Sequence, residues 1–315
     1  MRVPVRTWLV LASAVAMLLV ASSAVAQVED QLDNYSATNG EGYMQPLADG
    51  IGAGLNGGIW RGAYVPKEGF YIALEIPLVA TFFSDDQRTF SYTPTDGDNT
   101  PTGEASLTVP TVVGDTEGGI IPTTMPPEIA YAPGFDINSF ALAVPQIRIG
   151  AFQGTEAVIR YIAVEAGDTE FGSSSLVGVG ARHSISQWMG PDFPVDISAG
   201  FFWQSFQLGE DLIDATALTY GVQFGKRFPS GFAMIEPYAT ISYDTFEMDV
   251  TYDYETEDRE IETIDIAMES EAGMRFALGL KAQVGFVDVN GEYSFGEQSG
   301  FALGLGFAFK SVPEY

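Results

Sequence analysis

One pattern constrains this chain more than any other. Bulky apolar residues recur at every second position over stretches long enough to cross a bilayer as tilted strands. Phe70, Ile72, Leu74, Ile76, Leu78, Ala80 and Phe82 form the first clear run. Ala272, Met274, Phe276, Leu278 and Leu280 form another, and Phe301, Leu303, Leu305, Phe307 and Phe309 close the sequence. A period of two places alternate side chains on opposite faces of a strand. In a soluble sandwich the second face would be charged. Here it is mostly Gly, Ala or Ser, as in Gly300, Ala302, Gly304, Gly306 and Ala308. Small residues suit the inside of a narrow barrel and bulky ones suit lipid. The expected fold is therefore all-β, an antiparallel up-and-down transmembrane β-barrel of about 12 strands, with 10–14 allowed.

Eleven strands are legible, near 50–61, 70–83, 145–152, 155–166, 174–188, 194–208, 215–228, 232–244, 272–282, 286–295 and 300–310. Their connections alternate between tight and long when counted back from the C-terminus, which puts the short turns and the C-terminus on the periplasmic side. An odd count conflicts with the even number usual for bacterial barrels. Either a strand near Ala105–Val113 completes the barrel, or residues 34–48 form an extra strand or a plug threaded through the lumen.

Ahead of the barrel, Arg2 and Arg6, the apolar stretch Trp8–Val20 and Ala24-Val25-Ala26 read as a secretory signal. The expected division is a signal peptide over 1–26, an N-terminal segment over 27–48 and the barrel over 49–315. The expected location is the cell outer membrane, with outer-membrane lipid and the barrel-assembly machinery as partners and a monomeric state. No later run is long and apolar enough for a membrane helix.

Two long connections stand out. Residues 84–144 carry seven of the 17 prolines and read as a Pro-rich external loop, either a lid or a solvated flap. Residues 245–271 carry eleven acids against Arg259 alone and read as an acidic loop. Within it Asp253, Glu255, Glu257 and Asp258 are weak candidates for Ca or Mg, although their spacing is not that of an EF-hand. Overall, 14 Lys+Arg against 42 Asp+Glu give a net charge of −28, which disfavours nucleic acid as a partner.

If the bulky face is outside, Glu75, Arg148, Glu156, Arg160, Arg182, Lys226, Glu236, Arg275, Lys281, Asp288 and Glu292 point into the lumen. Six bases and five acids make it near neutral. Such charges either pair and fill the interior or line a small polar pore. Trp60, Tyr161, Trp188, Trp203, Phe228, Tyr243 and Tyr293 suit interfacial girdles.

Three stretches carry a resemblance: Tyr43-Met44-Gln45-Pro46-Leu47 with Gly52-Ala53-Gly54-Leu55-Asn56; Pro110-Thr111-Val112-Val113-Gly114; and Pro145-Gln146 through Gly154-Thr155-Glu156 to Arg160-Tyr161, with Gly180-Ala181-Arg182-His183-Ser184-Ile185. They resemble an uncharacterised family of predicted Gram-negative outer-membrane barrels. That resemblance implies the fold and no activity. A segment ahead of the first strand is also similar, in architecture only, to fatty-acid transport barrels.

Function follows less far. A pore or transporter for small or hydrophobic solutes leads. A non-conducting structural or surface-interaction barrel is the alternative. A lipid-acting barrel enzyme comes last. Barrel lipid hydrolases resembling the phospholipase and deacylase type use a His-x-Ser pair on one strand face, but Ile185 stands two residues after the single histidine, His183. With no cysteine and one histidine, no cofactor or transition-metal site is expected.

Overall fold

The computed structural model describes Leu32, Tyr35 and residues 37–94, 106–121, 129–165, 173–190, 193–209, 212–255 and 261–310. The signal segment 1–26 lies outside the described residues.

Ten strands close a barrel. In chain order the strands are β1 (Tyr71–Phe82), β2 (Thr89–Tyr92), β3 (Leu107–Pro110), β4 (Gly119–Ile121), β5 (Ile129–Tyr131), β6 (Ser139–Ala143), β7 (Gln146–Phe152), β8 (Thr155–Glu165), β9 (Ser173–Ser184), β10 (Asp196–Leu208), β11 (Ile213–Gly225), β12 (Phe228–Ser230), β13 (Ala233–Glu255), β14 (Ile261–Val284), β15 (Val287–Phe295) and β16 (Ser299–Lys310). The wall runs β1-β7-β8-β9-β10-β11-β13-β14-β15-β16, and β16 pairs back to β1 along its whole length, Tyr71↔Lys310 to Phe82↔Ser299. Every pairing is antiparallel, so no edge is left for lipid to meet.

The second wall position is shared. β1 pairs with β7 from Tyr71 to Glu75 and with β6 from Leu78 to Phe82. Pro145, which lacks a donor, stands at the break between β6 and β7. Short turns gather at the end holding Tyr71 and Lys310. The tightest is Gln153-Gly154, with φ of 48° and 77°, as a two-residue hairpin with right-handed strand twist requires.

Each wall strand turns a large apolar side chain outward: Leu74, Ile149, Ile159, Val179, Phe201, Tyr220, Ile241, Leu278, Val289 and Leu303 are all exposed. Among the described residues no helix is long and apolar enough to cross a membrane. A closed barrel wearing a continuous apolar ring crosses with strands, and the protein is an outer-membrane β-barrel.

Ten strands fall within the expected 10–14. The strand expected over 50–61 is instead a helix and an extended leg. Helix α1 spans Ala37–Asn56, and residues 57–64 continue it down the lumen. The N-terminal segment is thus a plug, and it runs past the boundary placed at 48. Glycines make it thin enough to fit. A Cβ at Gly52 would lie 2.7 Å from the Phe246 ring, and one at Gly57 would lie 2.7 Å from Val79. Residues 107–110, within the stretch considered for a missing strand, form β3, which pairs with β2 outside the wall.

The connection 84–144 is not a plain loop. Hairpin β2–β3 contacts α1 through β2, and Tyr131 of hairpin β4–β5 packs against the buried cluster that α1 helps to form. Val112 N–H donates to the Tyr43 carbonyl at 3.0 Å, and the Tyr43 hydroxyl donates to the Pro133 carbonyl at 2.8 Å. The connection 245–271 is likewise mostly strand. β13 and β14 pair on from Phe246↔Ser270 to Glu255↔Ile261, and past Val250 they outrun β11, which ends at Ile213. Phe246, Met248, Val250, Ile266 and Met268 face inward and join Tyr43, Met44, Ile51 and Leu55 of α1 in one buried apolar cluster. The loop end of the barrel is therefore capped by a hydrophobic core.

Candidate functional site: the plugged lumen

Below that cap the lumen turns polar. Helix α1 stops at Asn56, where Gly58 takes the left-handed conformation (φ 62°) usual at a helix C-terminus. The carbonyls that a helix end leaves unpaired are met by arginines from the wall. Arg160 on β8 donates to the Leu55 carbonyl at 2.8 Å and the Gly57 carbonyl at 2.9 Å. Arg275 on β14 donates to the Asn56 carbonyl at 2.9 Å. Two guanidinium groups at the negative end of a helix dipole are favourable as well as geometrically apt. Gln204 on β10 adds a bond to the Leu55 carbonyl at 2.7 Å.

The extended leg is held in the same way. Arg148 and Gln146 on β7 donate to the Ile59 carbonyl at 3.4 and 3.3 Å. Arg182 on β9 donates to the Gly62 carbonyl. Glu236 on β13 accepts from the amides of Ala63 and Tyr64 at 2.6 and 3.0 Å. Arg61, 1% exposed, projects from the leg to Glu75 on β1 at 3.3 Å and Asp288 on β15 at 2.7 Å, and it also donates to Asn290. Polar bonds from eight of the ten wall strands thus converge on residues 55–64.

The wall charges pair among themselves as well. Arg148 bridges Glu75 at 2.9 Å and Glu156 at 2.8 Å, and Glu156 also meets Arg182 at 2.5 Å and the Tyr71 hydroxyl. Arg275 meets Asp244 at 2.5 Å. Lys281 stands opposite Glu236 in the β13–β14 register. Glu292 is buried on β15.

Of the eleven residues expected in the lumen, the structure brings together Glu75, Arg148, Glu156, Arg160, Arg182, Glu236, Arg275, Lys281, Asp288 and Glu292. Lys226 is not among them. β11 turns its odd-numbered residues inward as far as Gly225, so Lys226 follows the outward parity of Phe224 and is exposed in the turn with its ammonium 5.7 Å from the Phe228 ring. Arg61 and Asp244 were missed. With them the described lumen balances six bases against six acids. Trp60, expected in a girdle, is a plug residue, 3% exposed and edge-on to Phe202 at 6.4 Å. Tyr161, Trp188, Trp203, Phe228, Tyr243 and Tyr293 are exposed.

Asp253 and Glu255 lie on β13, Glu257 and Asp258 fall outside the described residues, and no group of metal-ligating side chains occurs among the described residues. His183 sits at the short-turn end. Its Nδ1 is 2.8 Å from Thr155 Oγ1, and its Nε2 accepts from the Trp188 indole at 3.1 Å, with the two rings stacked 6.1 Å apart. Ser184 bonds to Ser186 instead. The arrangement anchors a girdle tryptophan.

A family model described as a family of unknown function (DUF6588) matches residues 5–309. No curated protein matches the sequence. Similar solved structures are outer-membrane barrels. The β domain of the Bordetella autotransporter BrkA is 10% identical, with 77% of this chain and 100% of that one covered and a TM-score of 0.32. The translocator domain of the autotransporter NalP from Neisseria meningitidis is 10% identical, covering 87% and 96%, TM-score 0.30. A Pseudomonas aeruginosa FadL homologue is 11% identical, covering 84% and 96%, TM-score 0.21. Such identities and scores say nothing about activity.

Proposed function

The chain belongs to the family of unknown function (DUF6588), and we propose that it is a self-plugged outer-membrane barrel, closed to solutes at rest, that works through the capped face at its loop end. One observation carries this reading: Arg61 and the backbone of residues 55–64 are bonded to eight wall strands at once. A small barrel has little lumen to spare, and here the chain's own segment uses it. A passive pore would need that whole set of bonds released together.

A gated pore is the second reading. Its support lies on the β10–β11–β13 side, where Gln223 Nε2, Thr240 Oγ1 and Ser242 Oγ are buried polar atoms with no hydrogen-bond partner. Buried polar atoms of this kind call for water. A thin hydrated seam beside the plug would be the start of a path.

Planar-bilayer recording of the folded protein separates the two. The self-plugged reading expects no steps from wild type and stable steps once residues 37–64 are deleted. Steady ohmic conductance from wild type would overturn it.

A further inference from the structure

We infer that this barrel carries its own plug segment through the lumen to the cell surface, so that α1 starts on the external face and the chain crosses the membrane once before its first wall strand. The direction of the plug is the observation. It descends in sequence order, and its neighbours mark the depth at each step. Tyr35 packs on Phe90 and Tyr92, with ring centroids 6.0 Å apart in both pairs, in the connection that leaves the upper end of β1 at Phe82. Further on, Thr81 Oγ1 donates to the Gly50 carbonyl at 3.2 Å, and Arg160 holds the Leu55 carbonyl. Arg61 then lies between Glu75 and Asp288. Tyr64 ends the descent, its ring centre 3.0 Å from the guanidinium of Arg227, in the turn between β11 and β12. β1 starts at the same end, at Tyr71.

Outer-membrane barrels keep their short turns in the periplasm and their long connections outside. The end that holds Arg227, Tyr71 and Lys310 is therefore periplasmic, and the first turn of α1 is external, with Thr38 and Glu41 exposed there. Ten wall strands return a chain to the side on which it began, so the plug is an extra crossing, made in the opposite direction to β1. A polypeptide reaches the outer membrane from the periplasm. The helix has therefore been carried outward, and the barrel displays a segment of its own chain. The composition suits that passage. From Leu32 to Trp60 there is no Lys or Arg, and Gly50, Gly52, Gly54, Gly57 and Gly58 keep the stretch in the lumen slim. Arg61 is the first base, and Glu75 and Asp288 catch it in the wall. Moving it further outward would strand buried charges on both sides, so Arg61 acts as the stop that fixes how far the segment emerges. The inference shares the plug with the reading above but not its closure: a lumen that conducted beside the plug would leave the direction unchanged.

The test is single-cysteine labelling of the full chain in intact cells, with a polymer-tagged maleimide too large to cross the outer membrane. The chain has no native cysteine to interfere. Thr38→Cys and Glu41→Cys probe the start of α1, Lys67→Cys probes the chain between plug and β1, and Ser230→Cys probes a short turn; all four positions are exposed and suited to substitution. Heat-modifiable gel mobility confirms that each variant folds. Thr38→Cys and Glu41→Cys should shift fully on a denaturing gel after treatment of intact cells. Lys67→Cys and Ser230→Cys should shift only once the outer membrane has been opened. That pattern places the two ends of one short segment on opposite sides of the membrane. Protection of both helix sites in intact cells would mean that the plug entered from the periplasm. Labelling of Lys67→Cys together with them would mean that the segment does not cross. Labelling of Lys67→Cys and Ser230→Cys in place of them would mean an inverted barrel. Each of these overturns the inference, whereas the conductance of the barrel bears only on its closure.

Discussion

Replacing Arg61 by methionine keeps the side chain's bulk and removes its charge. In the native lumen that guanidinium is the ion partner of Asp288 at 2.7 Å and shares Glu75, at 3.3 Å, with Arg148. Glu75 keeps Arg148 after the change. Asp288, 3% exposed, loses its ion pair. Breaking a buried pair by removing one member costs about 3–5 kcal/mol, chiefly because the other charge is left buried alone. Arg61→Met should therefore destabilise the folded barrel by about that amount. The cause can be separated from lost packing. Adding Asp288→Asn removes the stranded charge, so the double variant should be more stable than Arg61→Met itself, a coupling of the sign and size expected for contacting residues. The assay is urea unfolding in micelles, followed by heat-modifiable gel mobility and tryptophan fluorescence, since Trp60 lies in the plug. A cost below about 1 kcal/mol for Arg61→Met, or simple addition of the two costs, would refute the reasoning.

Two further outcomes follow from the same geometry. Gly52→Val would drive a side chain into the Phe246 ring and should cost about 1–3 kcal/mol by overpacking, whereas Gly291→Ala, whose methyl meets nothing nearer than 3.7 Å, should fall within about 0.5 kcal/mol in the same urea assay. His183→Ala should lower stability by about 1 kcal/mol through the lost Thr155 and Trp188 bonds and leave any lipid hydrolysis by the purified protein unaltered; loss of such activity would bring the enzyme reading back.

Much of the wall was legible because lipid and lumen make opposite demands on alternate residues, and ten strands were placed within a few residues of their ends except where β13 and β14 run on. The plug was misread at 50–61 because Ile51, Ala53 and Leu55 alternate with glycines and imitate a strand. The competing signal was the four-residue spacing of Tyr43, Leu47, Ile51 and Leu55, which places them along one helix face. Five glycines and Pro46 argue against helix by propensity alone. Confinement decides the matter, since a chain inside a closed barrel must satisfy its own backbone, and a helix does so. The extension of β13 and β14 was hidden by its acids. Above the lipid the outward face is solvated, so Glu247, Asp249, Asp265 and Glu269 occupy positions that apolar residues hold lower down. The alternation of Phe246, Met248 and Val250 was there to be read. Arg61 escaped notice for the same reason as the helix. A residue taken for the end of a strand was not weighed as a lumen charge.

The account's central claim is that residues 57–64 fill the lumen, and the absence of native cysteine allows a direct test. A Cβ at position 225 on β11 would lie 3.0 Å from that of Ala63, close enough for a disulfide after a small shift. The variant carrying Ala63→Cys and Gly225→Cys should oxidise to an internal disulfide, seen as a reducible change in mobility on a denaturing gel and as loss of thiol labelling. Two thiols that stay free and label fully in the folded protein would place the segment outside the lumen and contradict the account.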